Sequence, residues 1–349
     1  MSAHQVAVIG CGWSGLGSQL DELRPRPASH AEAAANNDRT ELIALVDDDA
    51  ESLALAEKLY PAVARFETAA EMLAVSVPEI AIIATPPESH ARLIHECAEA
   101  GVRAIVCEKP ISDDLGEARE AVAACRARGV ELFVNHMRRF DPLIRRYREY
   151  VAGGYVQDTQ IGPIRAVTAY YDKGIFHGGT HIVDLLRFFL GEAEWVTAVR
   201  NEFNAPDPVD PALDGVIGFE GVQATLQIFD SPNYSLPEIS FFGERGRLNL
   251  KNMWGLEIEL VGTRTSDYAS AYRVLDEERK STLGERRSFF APILDHVADC
   301  LEGREEPLST GEDAIRALEV LLAMKESAEA EGRRMPIRRD GPEGPAASA

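Results

Sequence analysis

The chain opens with a short apolar run that leads directly into a glycine-rich turn. Residues 6–9 read Val-Ala-Val-Ile, and residues 10–15 read Gly-Cys-Gly-Trp-Ser-Gly. A strand that runs into G-x-G-x-x-G needs a tight turn, a close approach of other backbone and a helix directly behind it. The opening residues therefore favour a doubly wound α/β fold over all-helical and all-β folds.

Apolar, β-branched runs alternate with helix-like stretches through the first 135 residues. Runs without polar alternation are typical of strands buried on both faces of a parallel sheet. The predicted strands are 6–9, 42–46, 80–84, 104–107 and 132–134. The predicted helices between them are 50–59, 88–100 and 115–128, the last two followed by glycine. This alternation predicts an N-terminal Rossmann domain, residues 1–137, with a doubly wound parallel sheet.

After about Asp141 the pattern changes, because strands now follow strands. A helix over 179–190 precedes predicted strands at 195–201, 215–219, 224–229, 239–242, 247–250 and 256–261. Helical periodicity returns at 289–301 and 311–330. We expect residues 138–331 to form a C-terminal α/β domain with a mostly antiparallel open sheet, and residues 332–349 to form a flexible tail. A C-terminal helix or the tail could pack back on the first domain.

The charge balance and the cysteines limit the partners and the compartment. Lys and Arg number 36 against 57 Asp and Glu, a net charge of −21, which disfavours nucleic-acid and membrane partners. The sequence has no apolar run long enough to span a bilayer and no N-terminal signal pattern. The five cysteines include no CxxC pair, which argues against a disulfide framework or a zinc site. We expect a reduced, cytoplasmic protein.

The glycine turn is a candidate site for a dinucleotide. Its backbone N–H groups can approach a pyrophosphate, although a Gly-rich segment can also be a plain turn. Asp47 ends the second predicted strand, where a carboxylate binds the adenosine ribose, and residues 47–49 are all Asp, which favours NAD over NADP. The interval from Gly10 to Asp47 exceeds the usual ~20 residues. We assign the surplus to an insertion over 17–28, with Ser29 as the N-cap of a resumed helix over 30–36.

Further motifs occur in a fixed order along the chain. They are Ala84-Thr85-Pro86-Pro87 with His90, Glu108-Lys109-Pro110, Asn135 with Arg138-Arg139-Phe140-Asp141-Pro142, Gly178-Gly179-Thr180-His181-Ile182-Val183-Asp184, and Gly311-Glu312-Asp313-Ala314. Together with the glycine turn, this ordered set resembles the glucose-fructose oxidoreductase, inositol dehydrogenase and rhizopine-catabolism family (Gfo/Idh/MocA), from Val6 to about Ile337. The resemblance implies NAD(P)-dependent oxidation or reduction of a sugar, cyclitol or sugar derivative, and a homodimer or homotetramer.

The resemblance also assigns roles to individual residues. The expected cofactor-binding residues are Gly10, Gly12, Trp13, Ser14, Gly15, Asp47, Thr85, Pro86, His90, Glu108, Lys109 and Asn135. Thr85, Pro86 and His90 would line the nicotinamide side, and Glu108 and Lys109 would lie between nicotinamide and substrate. Trp13 either covers the adenosine or packs between the domains.

Lys109 and His181 are the expected catalytic residues. Lys109 follows an apolar strand, at the sheet edge where doubly wound folds bind ligands, and its ammonium group can bind the reacting oxygen. A surface lysine is the alternative. His181 aligns with the general-base histidine of the family, and imidazole can take a hydroxyl proton near neutral pH. Asp184 either orients that ring, caps the helix or pairs with Arg187.

His177 departs from the family pattern, in which Asp stands four residues before the catalytic His. Histidine supplies no fixed negative charge, so three accounts stay open: His177 relays the proton, Asp184 or Asp172 takes the missing role, or activity is altered or lost. His177 and His181 could also bind a metal, but without a third ligand we expect no metal. The expected substrate-binding residues are Lys109, Tyr171, Asp172, His177, His181 and Asp184.

The sequence thus predicts an NAD-dependent dehydrogenase or reductase of a polyhydroxylated substrate. An NAD-dependent glycoside-cleaving enzyme that recycles its cofactor is one alternative. The other is a non-catalytic, NAD-binding regulatory protein, which the departure at His177 would explain.

Overall fold

The computed structural model describes residues 3–153, 161–203, 209–229, 233–253, 257–266, 272–284 and 287–338. The chain folds as two compact units, each assembled from two stretches of sequence. The first unit comprises Met1–Tyr147 and Glu285–Ile315, and the second comprises Arg148–Gly284 and Arg316–Ala349. The sequence predicts a boundary after residue 137 and allows for a C-terminal helix or the tail to pack back on the first domain; in the structure the boundary follows Tyr147, and Glu285–Ile315 belongs to the first unit.

A parallel sheet forms the centre of the first unit. Its strands are β1 (His4–Ile9), β2 (Thr40–Val46), β3 (Ala64–Phe66), β4 (Ile80–Ile83), β5 (Ala104–Cys107) and β6 (Glu131–Val134). They pair in the order β3-β2-β1-β4-β5-β6, and every residue of β4 and β5 is buried. Burial on both faces explains the continuous apolar runs. The predicted Rossmann-type sheet is confirmed, with β3 as an additional short strand.

Helices connect the strands, and several of them begin at side-chain caps. In chain order they are α1 (His30–Asn36), α2 (Ala50–Leu59), α3 (Ala69–Val75), α4 (His90–Ala100), α5 (Leu115–Arg128), α6 (Pro142–Gly153), α7 (Thr180–Leu190), α8 (Ala291–Leu301) and α9 (Gly311–Glu329). The Ser29 hydroxyl accepts the Glu32 amide at 3.1 Å, so the predicted N-cap of α1 is confirmed. Every helix in the described ranges is too short or too polar to cross a membrane.

An inserted segment interrupts the first helix of the Rossmann sheet. The Leu16 amide donates to the Gly12 carbonyl at 2.9 Å, which begins a helical turn directly after the glycine turn. The chain then leaves this axis and returns at α1, where the His30 amide donates to the Ser14 carbonyl at 3.0 Å. In an uninterrupted helix, residue 18 would make that bond. Residues 18–29 are therefore looped out of a helix whose hydrogen-bonding register is kept across the gap.

The later stretch of the first unit, Glu285–Ile315, completes the hydrophobic core of that unit. Ile293, Leu294 and Val297 of α8 are fully buried in the same cluster as Val6 and Phe133. Thr310 forms an isolated bridge with Phe133 of β6. Burial of this apolar helix face explains why a segment so late in the sequence belongs to the Rossmann unit.

A larger mixed sheet forms the second unit. Its strands are β7 (Ile164–Tyr171), β8 (Ala193–Arg200), β9 (Leu213–Phe219), β10 (Val222–Ile228), β11 (Glu238–Gly243), β12 (Gly246–Lys251), β13 (Glu257–Thr265), β14 (Arg273–Leu275), β15 (Ser281–Gly284) and β16 (Met335–Pro336). They pair in the order β14-β13-β12-β11-β7-β10-β9-β8-β16, with β15 beside β13. β7 and β10 are parallel and the other neighbours are antiparallel. The predicted mostly antiparallel sheet is confirmed.

The end of the described chain is part of this sheet. Met335 is buried and pairs with Val196, and the Ile337 amide donates to the Glu194 carbonyl at 2.8 Å. The predicted flexible tail from residue 332 is wrong for these residues, because the sheet edge binds their backbone and covers the Met335 side chain. Residues 339–349 lie outside the described residues.

Candidate cofactor and catalytic site

Two glycines of the turn after β1 are required by close backbone packing. Gly10 has a φ of +99°, and a Cβ there would lie 2.6 Å from the Ala84 carbonyl carbon. A Cβ on Gly15 would lie 1.8 Å from the Gly10 carbonyl oxygen. By contrast, a Cβ on Gly12 would meet nothing within 4 Å among the described residues. The turn is therefore tight on one side and open at Gly12, as a backbone site for a pyrophosphate requires.

Trp13 and Ser14 occupy the same turn in different ways. The Trp13 side chain is 61% exposed, and the Arg24 guanidinium lies 5.1 Å from the centre of its ring. The Ser14 carbonyl accepts the His30 amide, which ties the turn to α1. Cofactor contacts by both residues stay predictions.

Asp47 is hydrogen-bonded to the glycine turn. Its Oδ2 atom accepts the Cys11 amide at 2.6 Å, and its Oδ1 atom accepts the Asp49 amide at 2.9 Å. A carboxylate has about four acceptor positions, so both oxygens retain capacity for hydroxyl donors. The predicted ribose contact is thus held beside the turn by backbone amides.

A cavity of about 690 Å³ adjoins the turn and Asp47. Its lining residues are Ile9, Gly10, Gly12, Val46, Asp47, Asp48, Ser52, Glu67, Thr68, Ala69, Ala70, Ala84, Thr85, Pro86, Glu88, Ser89, Arg92, Leu93 and Glu96. Among these lining residues the one cation is Arg92, whose Nη1 atom lies 2.5 Å from Glu96 Oε1. The structure therefore brings five predicted cofactor residues, Gly10, Gly12, Asp47, Thr85 and Pro86, to one predominantly acidic cavity.

His90 is placed differently from the other predicted residues of this region. It is fully buried, with Nε2 lying 2.8 Å from the Thr85 carbonyl oxygen and Nδ1 lying 2.8 Å from the Pro110 carbonyl oxygen. The ring thus joins the chain after β4 to the chain after β5. A direct cofactor contact by His90 stays a prediction.

A buried polar cluster of His30, Glu108 and Asn135, here called the Glu108 cluster, lies at the carboxyl end of β5 and β6. Glu108 Oε1 lies 2.9 Å from His30 Nε2 and accepts Asn135 Nδ2 at 2.8 Å. Burial disfavours the ionised carboxylate, but the hydrogen bond and charge of His30, the hydrogen bond of Asn135 and the charge of Lys109 lower the pKa of Glu108 to about 2. The Glu108 carboxylate is therefore ionised at neutral pH although it is buried.

Lys109 follows this charge directly and is half-buried. Its backbone N–H lies 3.3 Å from Glu108 Oε2. The carboxyl edge of a doubly wound sheet is where such folds bind ligands. An ammonium group at this edge, beside a fixed carboxylate, can form a hydrogen bond to a substrate oxygen.

His30 was not among the predicted site residues. Its sequence position indicated only the first residue of the resumed helix. When residues 18–29 are left out of the count, His30 stands three residues after Gly15 on a continuous helix. That shortened spacing is the signal that could have placed it beside the sheet edge.

In the second unit, His177 and His181 lie on consecutive helical turns. His177 belongs to a π-helical turn, Ile175–Gly179, and His181 lies in the first turn of α7. His177 is exposed, and its Nε2 atom lies 3.4 Å from Lys173 Nζ. His181 is partly exposed. No group of three His, Cys, Asp or Glu side chains that could hold a metal ion is found within the described ranges.

Tyr171, Asp172 and Asp184 are more buried than the two histidines. The Tyr171 hydroxyl donates to the Leu213 carbonyl at 2.7 Å, and burial raises the pKa of this phenol. Asp172 is 9% exposed and accepts a hydrogen bond from the Ser235 hydroxyl, and Asp184 is 1% exposed. The contacts of these three residues with substrate stay predictions.

Two family models together match most of the chain. The model of the oxidoreductase family, NAD-binding Rossmann fold, matches residues 4–136. The model of the oxidoreductase family, C-terminal alpha/beta domain, matches residues 174–337. The chain therefore belongs to the Gfo/Idh/MocA family of NAD(P)-dependent oxidoreductases, which confirms the resemblance seen in its motifs.

Individual relatives are distant and include dehydrogenases of sugars and inositol. The chain is 28% identical over 367 residues to D-apiose dehydrogenase of Paraburkholderia graminis, covering 98% of this chain and 92% of that protein. It is 26% identical over 272 residues to myo-inositol 2-dehydrogenase of Thermotoga maritima, covering 71% and 77%. The fold is similar, with a TM-score of 0.74 and 21% identity, to the WlbA dehydrogenase of Bordetella pertussis in complex with NADH and UDP-GlcNAcA, covering 97% of this chain and 100% of that chain.

Proposed function

We propose that this protein transfers hydride between a nicotinamide cofactor, NAD in preference to NADP, and a hydroxyl or carbonyl group of a sugar, cyclitol or sugar derivative. The observation that carries the proposal is the buried Glu108, hydrogen-bonded to His30 and Asn135 and directly before Lys109 at the ligand-binding edge of the Rossmann sheet. The relatives named as D-apiose and myo-inositol dehydrogenases support the substrate class.

The residues of the first unit fit a dinucleotide with a free ribose 2′-hydroxyl. Gly12 leaves the turn open towards a pyrophosphate, and Asp47 presents acceptors to ribose hydroxyls. A 2′-phosphate would meet Asp47, Asp48 and Glu67 in the cavity, and like charges in close contact are unfavourable. This acidic lining supports NAD as the preferred cofactor.

Lys109 and His181 act on the reacting group of the substrate in two different ways. The Lys109 ammonium forms a hydrogen bond to the reacting oxygen and stabilises the negative charge that develops there. His181 accepts the hydroxyl proton during oxidation and returns it during reduction, and His177 assists this exchange. The nicotinamide, when bound, supplies or accepts the hydride.

Turnover with a substrate panel tests the proposal. The full-length protein is mixed with NAD or NADP and with separate aldoses, cyclitols and nucleotide sugars, while nicotinamide absorbance and product composition are followed. We expect an NAD-dependent absorbance change with at least one of these compounds. New products without a net absorbance change would instead favour glycoside cleavage with a recycled cofactor. NAD binding without turnover of any compound would favour a regulatory protein.

We also propose a homodimer or homotetramer, as the family resemblance implies. The face that we assign to this contact is the sheet surface of β8 to β10, which has a shallow cavity of about 300 Å³ lined in part by the exposed Val199. The mass of the full-length protein is measured by light scattering as it elutes from a size-exclusion column. A monomer mass would contradict the proposal.

A further inference from the structure

The turn that carries His177 is held by Asp210, a residue that the sequence motifs did not single out. Asp210 Oδ1 accepts the Phe176 amide at 2.7 Å, and Asp210 Oδ2 accepts the His177 amide at 2.9 Å. One carboxylate thus binds two successive N–H groups in the π-helical turn Ile175–Gly179. Hydrogen bonds to a carboxylate are shorter and stronger than neutral ones, so this contact fixes the backbone at His177.

The close approach of Asp210 depends on the glycine that precedes the turn. A Cβ on Gly174 would lie 1.9 Å from Asp210 Cγ and 2.2 Å from each carboxylate oxygen. The next amide, that of Ile175, donates to the Pro211 carbonyl at 3.2 Å. Residues 210 and 211 therefore bind three successive amides of one segment, and a side chain at residue 174 would separate the two parts.

The neighbouring charged groups of the second unit have other contacts. Asp172 accepts the Ser235 hydroxyl, and Lys173 approaches the His177 imidazole from the side of the preceding strand. Asp184 is buried on α7. Asp214, at the start of β9, accepts Asn201 Nδ2 at 2.7 Å and the Ile228 amide at 2.9 Å. Asp210 accepts two backbone amides of the π-helical turn Ile175–Gly179, here called the histidine turn.

We propose that Asp210 is a positioning residue for proton exchange at His177 and His181. It acts through the amides of Phe176 and His177, which set the path of the backbone into α7 and therefore the places of both imidazoles. The inference rests on the proposed dehydrogenase function and names a residue that this function requires.

The test compares Asp210→Asn with Asp214→Asn in the full-length protein. The two aspartates are matched, because each lies in the second unit and accepts a backbone amide, but only Asp210 binds the histidine turn. Losing a charge-assisted acceptor should raise amide hydrogen exchange at Phe176 and His177 about tenfold or more. We expect kcat to fall by about the same factor, with a smaller change in KM and an unchanged affinity for NADH, whose proposed site is in the first unit. Asp214→Asn should change neither the two exchange rates nor kcat.

A second variant covers the case in which Asp210→Asn does not fold. Gly174→Ala places a methyl group against the carboxylate and should reproduce both effects. The variant that combines Asp210→Asn with Gly174→Ala should have exchange rates and a kcat close to those of either single variant, because both changes break the same contact.

The outcomes separate this inference from the proposed function. An active wild type, with Asp210→Asn as active as Asp214→Asn, would overturn the inference alone, whether or not exchange is faster. Unchanged exchange at residues 176 and 177 would overturn it as well. A wild type without turnover of any compound would overturn the proposed function, and the inference with it.

Discussion

The Nε2 atom of His30 lies 2.9 Å from Oε1 of Glu108, and both side chains are buried. This contact joins the first residue of α1 to the chain directly after β5, and Asn135 connects it to the end of β6. An unpaired charge in such a place would cost several kcal/mol, so the partners are required for an ionised Glu108. The cluster therefore joins three elements of the Rossmann unit at one buried carboxylate, next to Lys109.

The Glu108 cluster should make stability depend on acid pH. The pKa of Glu108 is about 2 in the folded protein, below its ordinary value of 4.5. A lowered folded pKa stabilises the fold above the unfolded value, and the contribution disappears as pH falls through the folded value. The difference corresponds to about 3 kcal/mol, to be measured as the free energy of unfolding in urea between about pH 7 and pH 2.

Two substitutions separate this effect from the other carboxylates. In Glu108→Gln the stability deficit relative to wild type should shrink by about 3 kcal/mol as pH falls from about 5 to 2. Glu131→Gln, a change at an exposed carboxylate at the start of β6, is the control variant measured in the same way. A constant deficit for Glu108→Gln over the whole range would contradict the prediction.

Lys109→Ala should abolish turnover while leaving NAD affinity largely intact. Removal of a group that stabilises charge on the reacting oxygen typically costs about 10² to 10³ in kcat. The expected NAD contacts at Gly12 and Asp47 are untouched by this change. The measurement is kcat with the best substrate of the panel together with the dissociation constant of NADH. Lys58→Ala, at an exposed position on α2, is the control, and preserved turnover in Lys109→Ala would count against the assigned site.

Asp47→Ala should weaken NAD binding and reduce the preference of the protein for NAD over NADP. Loss of hydrogen bonds from ribose hydroxyls to a carboxylate should weaken NAD about 10- to 100-fold, and removal of the charge should favour a 2′-phosphate. The dissociation constants of both cofactors measure this. Asp48→Ala is the matched control, with a smaller expected change, because Asp47 rather than Asp48 accepts the Cys11 amide. Equal effects of the two variants would mean that the ribose contact is misplaced.

Replacing either of two glycines of the turn by alanine should distinguish an effect on stability from an effect on cofactor binding. Gly15→Ala places a methyl group 1.8 Å from a backbone carbonyl oxygen and should lower the unfolding temperature. Gly12→Ala meets no described atom within 4 Å, so its stability should stay near wild type while its NADH affinity falls about tenfold or more. Thermal unfolding and NADH titration measure both. Normal NADH affinity in Gly12→Ala would show that the open face of the turn does not receive a pyrophosphate.

Local sequence patterns predicted the elements whose residues share one environment. The strands of the Rossmann sheet are buried on both faces, so their composition alone identified them. β7 was missed although its Val, Thr and Tyr residues favour a strand, because Arg165 and Thr168 interrupt the continuous apolar run by which the other strands were identified. β3 has only three residues, too few for any periodicity.

The hydrogen-bond partner of a polar side chain was harder to predict than the helix or strand that carries the side chain. The Tyr171 hydroxyl binds backbone at Leu213, 42 residues away in sequence, a contact that no local pattern indicated. His90 likewise spans to Pro110, and Asp210 reaches back to His177. Such contacts depend on which distant strands become neighbours, and one sequence does not contain that information in its local pattern.

The looped-out residues 18–29 have a consequence for how this fold can vary. Since the His30 amide reaches the Ser14 carbonyl across the gap, the helix behind the glycine turn keeps its phase regardless of what lies between. A family of chains can therefore lengthen, shorten or delete this excursion without rotating His30 away from Glu108. The surface next to Trp13 can then vary between chains, while the contact between His30 and Glu108 is kept.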